Sequence, residues 1–528
     1  MKQAGAYGAG VSAHTVAMIA LALWFAALPL YLVGLGDAAL RDWDEAIFAQ
    51  VSREIAANGW RNLLHPTYWG NPYVNKPPLI HVLAGTLFAI FGESSLTARL
   101  PGALITSASP ALLYLFARKL FGNENRAIWS GIVYLALLPV MRHGRLAMLD
   151  GPLVTFFLAT LLAIAYPRRS LGAGILTGAG LTAMLLTKAL SAAPLFAIAM
   201  AYAALSRPHL LRSGAFWTGM LIAVLPALAW FGVQWFAYGD RYMGDALMSQ
   251  GLSRLWTSVE GNRGAPWYYI VEILKYGWPW LIFVPAGIAI AVKEKDAAWS
   301  RLVLVWGGGY LILFSLMATK LPWYAYPLYA PVALLCGVAA SDFASVQRDR
   351  PQNFFTRRFP LIILPLLACG AAAGAWYFSP FGKDRSPALF ATTGLLCIAF
   401  AAAFFLMRNA PRQALQTVAC AAYLALLLFS TSGRTNWELK EQFDVVPVAQ
   451  LVRNHAPQTQ CFLADRPERP SLNYYVGRRI PGRPLAEINQ SPDLAGSCWL
   501  VAQNRRSELP GAAEVLGNSG GFDLVMVR

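Results

Sequence analysis

Asp44 and Glu45, followed in the same polar stretch by Lys76-Pro77-Pro78, are residue types that could do acid–base and phosphate chemistry together. A carboxylate at this place can take a proton from an attacking hydroxyl, which is general-base work. Lys76 immediately precedes a helix signal, so its ammonium and the free N–H groups of the first turn would form an anion site. Each residue also has a plain reading. Acids complement the dipole in a helix's first turn, and Lys76 reads equally as a surface lysine.

Further charges lie at costly positions. Asp150 follows Arg142-His143-Gly144-Arg145 and stands just before an apolar stretch, where it also serves as an N-cap. Lys188 sits inside the apolar run 181–196, and Lys320 occupies a similar junction in Thr319-Lys320-Leu321-Pro322-Trp323-Tyr324. Lysines snorkel at helix ends, yet an ionisable residue at membrane depth is a functional candidate by default.

The elements that must position these residues are membrane spans. Of 528 residues 57% are hydrophobic and only 13% charged, against about 25% charged in a soluble domain. About thirteen apolar stretches approach the 20 residues that cross a hydrocarbon core. They centre near residues 25, 110, 134, 158, 179, 198, 225, 280, 310, 331, 368, 397 and 421. The first, with only Lys2 before it, is too long for a signal-peptide core and reads as a retained helix.

The net charge of +16 does not indicate nucleic acid. Its basic clusters fall in alternate short loops: Arg118/Lys119/Arg126, Arg168/Arg169, Arg207/Arg212, Lys293/Lys295/Arg301, Arg348/Arg350/Arg357/Arg358 and Arg408/Arg412. Such loops stay in the cytoplasm. The expected topology places the N-terminus inside and the C-terminal tail outside. Asp44, Glu45, Lys76, Arg142, Arg145, Asp150, Lys188 and Lys320 then share the outer face. Arg142 and Arg145 oppose the positive-inside bias there, which points to an anionic partner.

The expected domains are 1–432, a transmembrane part with outer loops at about 37–98 and 237–266, and 433–528, a small extracytoplasmic α/β domain. In the first loop, Ile47, Phe48, Val51 and Ile55 mark one face of a helix starting near Asp44 and stopping at Asn58-Gly59. A second helix begins at Pro77-Pro78, and both are expected to lie in the interface plane. In the tail, 461–464, 498–502 and 524–527 read as strands and 446–452 as a helix. No Gly-rich phosphate loop or Cys/His metal spacing occurs. Cys461 and Cys498 could pair if the tail is outside.

Asp44-Glu45, Asn75-Lys76-Pro77-Pro78, Arg145 with Asp150-Gly151-Pro152, Leu186-Thr187-Lys188 and Lys320-Leu321-Pro322-Trp323-Tyr324, in this order, resemble the GT-C glycosyltransferases. The similarity is to the branch holding the lipid A 4-amino-4-deoxy-L-arabinose transferases and protein O-mannosyltransferase relatives, over about residues 1–430. It implies a polytopic helical bundle in a bacterial inner membrane and a polyprenyl (undecaprenyl) phosphate sugar donor. The acceptor would be lipid A or another envelope glycolipid on the periplasmic side, with a protein as the alternative. Asp44 would activate the acceptor, with Glu45 and Asp150 assisting. Lys76, Arg145, Lys188 and Lys320 would hold the donor phosphate, and Arg142, Tyr324 and Tyr326 would line the cavity.

Two positions depart from the arabinose transferases: Ile47 replaces an arginine, and Asn75 replaces a glutamate implicated in metal binding. No cofactor is therefore expected, with a divalent cation as the alternative. A transporter and a non-catalytic envelope scaffold are the competing classes. One-sided clustering of charge and a polar outer tail argue for surface chemistry over a transport pathway.

Overall fold

The computed structural model describes residues 11–166, 169–242, 244, 248, 253–258, 261–345, 354–435, 444–489, 496–509 and 513–527. Arg168, Arg348 and Arg350 of the basic loops, and parts of the second outer loop, lie outside these residues.

The protein is a multi-pass helical membrane protein with a small sheet domain at its C-terminal end. Among the described residues nine helices are long and apolar enough to cross a membrane, or up to eleven if each of two bent pairs counts as one span. Two features separate this number from the thirteen apolar stretches of the sequence. The stretch near 134 forms Glu124–Leu135, only 12 residues long. Those near 179 and 198 lie in one helix, Ser170–Ser206, interrupted at Lys188.

The chain does not divide at residue 432 alone. One compact unit comprises Met1–Leu35, Val74–Ile80 and Leu100–Thr435; the other comprises Gly36–Tyr73, His81–Arg99 and Asn436–Arg528. The first outer loop thus packs with the tail. Specific polar contacts account for this: Asp42 pairs with Arg469 and accepts from the Ser471 amide at 2.9 Å. Arg53 stacks over the Tyr474 ring at 3.9 Å, and the Leu40 amide donates to the Tyr475 hydroxyl at 2.9 Å.

In the membrane unit, Ser170–Ser206 and Gly214–Tyr242 pack closely through glycine. A Cβ at Gly174 would collide with the Phe216 carbonyl, and one at Gly178 would press on the Met220 carbonyl. Small residues four apart allow such approach in lipid, where dispersion rather than the hydrophobic effect joins helices. Helices Leu138–Arg145 and Asp150–Ala165 meet at 113°, and Tyr268–Tyr276 and Trp280–Lys293 at 114°. The first corner presents the Arg142–Asp150 segment.

In the other unit, Asp44–Asn58 is helical with Phe48, Val51 and Ile55 buried, and Gly59 ends it at a φ of 61°. Strands β1 (Thr67–Tyr68) and β2 (Asn71–Pro72) form a hairpin through Trp69 and Gly70, both at positive φ. Glu54 secures the turn, accepting from the Trp69 amide at 2.6 Å. The helix after Pro77-Pro78 spans Leu79–Phe91. The tail folds into helix Val445–His455 and strands β3 (Cys461–Ala464), β4 (Gly482–Arg483), β5 (Cys498–Ala502), β6 (Ala513–Ser519) and β7 (Phe522–Val527). Their order is β4-β3-β5-β7-β6, with β3 parallel to β4 and β5. Apolar side chains cover both faces: Leu463, Leu500 and Leu524 on one, Phe462, Trp499 and Val525 on the other.

Cys461 and Cys498 are register partners on β3 and β5 and form a disulfide. Closing a loop of this length contributes about 4 kcal/mol in the chain-entropy picture. Thiol alkylation of the denatured full chain should modify four cysteines without reductant and six after reduction. Six without reductant would contradict the bond.

Candidate active site

In the unit that holds the tail, the candidate acids Asp44 and Glu45 stand on the turn from Arg41 to Glu45. Trp43 lies at φ 59° and ψ −90°, a strained conformation for a residue with a Cβ. Such a residue costs about 1–3 kcal/mol and persists where its surroundings over-determine it. Both flanking acids are anchored. Asp42 is held by Arg469 and Ser471. Glu45 is fully buried, bound by Arg99 through Nε at 2.7 Å and Nη2 at 2.8 Å, and accepts from the Arg41 amide at 3.0 Å. Arg99 also donates to the carbonyls of Ala38 and Ala39.

Glu45 was expected beside Asp44 as a second catalytic acid. With both oxygens engaged by Arg99 and the Arg41 amide, it instead positions the turn. Asp44 follows the strained residue as the first residue of its helix and is half-buried. Burial, and next the Asp44 charge, push the Tyr73 phenol upward, so it stays protonated at neutral pH.

Within the membrane unit, Asp150 and Lys188 find each other. The ammonium donates to the two carboxylate oxygens at 2.8 and 2.9 Å, with side chains 13% and 9% exposed. Lys188 stands at the non-helical residue of its helix (φ −154°, ψ 78°). Its ammonium also lies 5.7 Å from the Tyr324 ring centre. The Tyr324 hydroxyl in turn accepts from Arg254 at 2.8 Å. Arg254 belongs to the short helix Ser253–Trp256, which backbone bonds tie to Ala318 and Thr319. Asp150, Lys188, Tyr324 and Arg254 thus form one connected group.

Three other expected phosphate or cavity groups are occupied by carbonyls. Lys320 donates to Phe314 at 2.9 Å, to Ser315 at 2.7 Å and to Met317, which uses all three ammonium hydrogens on the end of helix Tyr310–Leu316. Arg145 donates to Leu30 and Val33 at 2.5 Å each and closes the end of helix Ala13–Leu32. Arg142 donates to the Thr435 carbonyl at 2.6 Å. Cations at helix C-termini meet orphan carbonyls and the negative dipole end, which accounts for Lys320 and Arg145, whereas the Thr435 carbonyl that Arg142 meets lies beyond the end of helix Pro411–Ser430. Tyr326 is wholly buried in the core and donates to Val140 at 3.3 Å. Lys76 is half-buried three residues before helix Leu79–Phe91.

Sequence reasoning missed Asp42, Arg99 and Arg254. Arg254 carried a usable signal, being a basic residue in an outer loop like Arg142. Asp42 and Arg99 show their roles only through tertiary pairing. Among the described residues no three His, Cys, Asp or Glu side chains converge as a cation site, and the chain has Asn75 beside Lys76.

Residues 75–231 match the family model described as dolichyl-phosphate-mannose-protein mannosyltransferase. An undecaprenyl phosphate-alpha-4-amino-4-deoxy-L-arabinose arabinosyl transferase of Pseudomonas fluorescens is 28% identical over 61% of this chain and 59% of its own length. The enzyme of that name from Aeromonas salmonicida is 28% identical over 66% and 65%. The chain therefore matches somewhat less than two thirds of these relatives' length. The crystal structure of ArnT from Cupriavidus metallidurans bound to undecaprenyl phosphate superposes with a TM-score of 0.74, covering 97% of this chain and 98% of that one at 18% identity. Its apo structure gives 0.70.

The fold is that of the GT-C transferases. Over the matched stretches the sequence is similar to 4-amino-4-deoxy-L-arabinose transferases.

Removing Arg99 would leave the buried Glu45 charge without its main partner, at a cost of about 3–5 kcal/mol. Arg99→Ala should lower the unfolding midpoint of the purified full chain, and adding Glu45→Gln should recover part of the loss. An unchanged midpoint for Arg99→Ala would show that the pair does not hold this turn.

Proposed function

We propose that this chain is a bacterial inner-membrane glycosyltransferase that moves a sugar from a polyprenyl phosphate to an acceptor on the periplasmic side. Undecaprenyl phosphate is the carrier in this reading, and lipid A or another envelope glycolipid is the acceptor. The observation that carries it is the Asp44 turn, strained at Trp43 and anchored on both sides, in a chain whose relatives bear arabinosyl transferase names.

An acceptor hydroxyl attacks the anomeric carbon while the bond from that carbon to the phosphate oxygen breaks. Asp44 takes the hydroxyl proton. Negative charge develops on the departing polyprenyl phosphate, where fixed cations stabilise it without reorganising. Lys76, Lys188 and Arg254 are the cations assigned to this work. Asp150 holds Lys188, and Tyr324 holds Arg254. Arg142, Arg145 and Lys320 support the walls by capping backbone carbonyls.

The Cys461–Cys498 disulfide supports an outer location for the tail, since such bonds persist in the oxidising periplasm. The basic loops support a cytoplasmic N-terminus. A protein acceptor remains the second reading, favoured by the mannosyltransferase description of the family model over residues 75–231.

General-base removal typically slows a reaction by about 10²–10⁴-fold. Mass spectrometry of envelope lipids from cells with wild-type protein should show a species heavier by one sugar residue. Asp44→Asn, present at equal abundance, should reduce it by that order. Lipids unchanged by either protein, with glycoproteins altered instead, would move the acceptor to protein. Full product with Asp44→Asn would remove Asp44 as the base.

A further inference from the structure

Away from this site, helices Glu124–Leu135, Tyr329–Ala344 and Pro411–Ser430 enclose a cavity of about 690 Å³. That lies within the about 300–1,000 Å³ typical of ligand sites. Its lining is sorted by polarity. Asn125, Ser341, Ser345, Arg412 and Gln416 gather at one end. Asn125 and Arg412 occupy the first turns of their helices, and Ser341 and Ser345 the end of the third. This is one end of the bundle, because the first two helices run antiparallel: Arg126 meets Asp342, and Gly337 lies against Ser130.

Beyond the polar end the wall is apolar and aromatic, with Trp129, Ile132, Leu135, Tyr423 and Leu424. From Asn125 to Leu135 the helix rises about 15 Å, and from Arg412 to Leu424 about 18 Å. Half of a hydrocarbon core is about 15 Å. The cavity therefore has the depth of one leaflet, with a cation where lipid headgroups lie. Arg412 is exposed and makes no ion pair with any described residue. The neighbouring acids Glu294 and Asp342 are engaged by Arg126 at 3.2 and 3.5 Å.

We propose that this cavity is a binding site for an anionic glycerophospholipid, separate from the transfer site. Arg412, with Asn125 and Gln416, receives the phosphate, and one acyl chain lies along Trp129, Ile132 and Tyr423. Arg412 belongs to a basic loop read as cytoplasmic, so the lipid comes from the inner leaflet. The site ties Pro411–Ser430 to two core helices through a lipid.

Full-length protein in nanodiscs containing phosphatidylglycerol with a photoreactive acyl chain tests this, with labelled residues mapped by tandem mass spectrometry. Labels should concentrate at 128–135 and 419–424, about fivefold above those from phosphatidylcholine carrying the same chain. Arg412→Gln should reduce phosphatidylglycerol labelling to the phosphatidylcholine level with an unchanged gel-filtration profile. Ala419→Phe, which fills the apolar part, should lower labelling from both lipids. Equal labelling by the two lipids, or labelling unaffected by Arg412→Gln, would overturn the headgroup assignment. Displacement by undecaprenyl phosphate at a mole fraction far below that of phosphatidylglycerol would overturn the choice of occupant.

Discussion

Glu45 is buried without exposure to water, and Arg99 meets it with a full positive charge through two hydrogen bonds. A carboxylate in that position cannot stay ionised unless its partner and hydrogen bonds are in place. The pair therefore ties the Arg41–Glu45 turn to the start of helix Ser95–Ser107, while Arg469 and Ser471 tie Asp42 to the tail. Between these two anchors Trp43 is forced into a positive φ, and Asp44 follows it. The orientation of the candidate base rests on these anchored charges.

The same logic separates the cations. In a low-dielectric setting every ammonium or guanidinium needs acceptors, and helix C-termini offer unsatisfied carbonyls. Lys320 and Arg145 take that route, while Arg142 meets the Thr435 carbonyl beyond a helix end. Held against backbone in this way, the first two stiffen helix ends. Lys188 takes a carboxylate instead, and Arg254 a phenol. A phosphate could displace the neutral phenol from Arg254, since a guanidinium pairs with phosphate through two parallel charge-assisted bonds. Proximity in sequence to a motif says little about which of these fates a basic residue meets.

Much was readable from the residues alone. Helix Asp44–Asn58 was legible because period-3.6 apolar residues run between acids and Asn58-Gly59, and the strands 461–464 and 498–502 because they are short apolar runs bounded by polar turns. Strand Ala513–Ser519 was not, since this edge strand alternates weakly and contains a bulge near Gly517. The pairing of the first loop with the tail was hidden by distance: Asp42 and Arg469 stand far apart in the chain, and nothing local marks them as partners. Glu45, Arg145 and Lys320 looked like site residues because their cost of burial is visible in sequence, whereas their structural partners are not. Lys188 stood out in sequence as a lysine in an apolar run, but the helix break at that position involves neither glycine nor proline and leaves no local signal.

The central claim is a division of labour, in which Lys76 and its fellow cations bind the donor phosphate while Asp44 acts only on the acceptor. Native mass spectrometry can measure undecaprenyl phosphate affinity for the wild type, Lys76→Gln and Asp44→Asn, alongside sugar transfer by each. The mechanism predicts that Lys76→Gln weakens binding by about tenfold or more, the scale of a lost charge-assisted bond. Asp44→Asn should bind as the wild type does and fail to transfer. Unaltered affinity in Lys76→Gln, or normal transfer by Asp44→Asn, would contradict it.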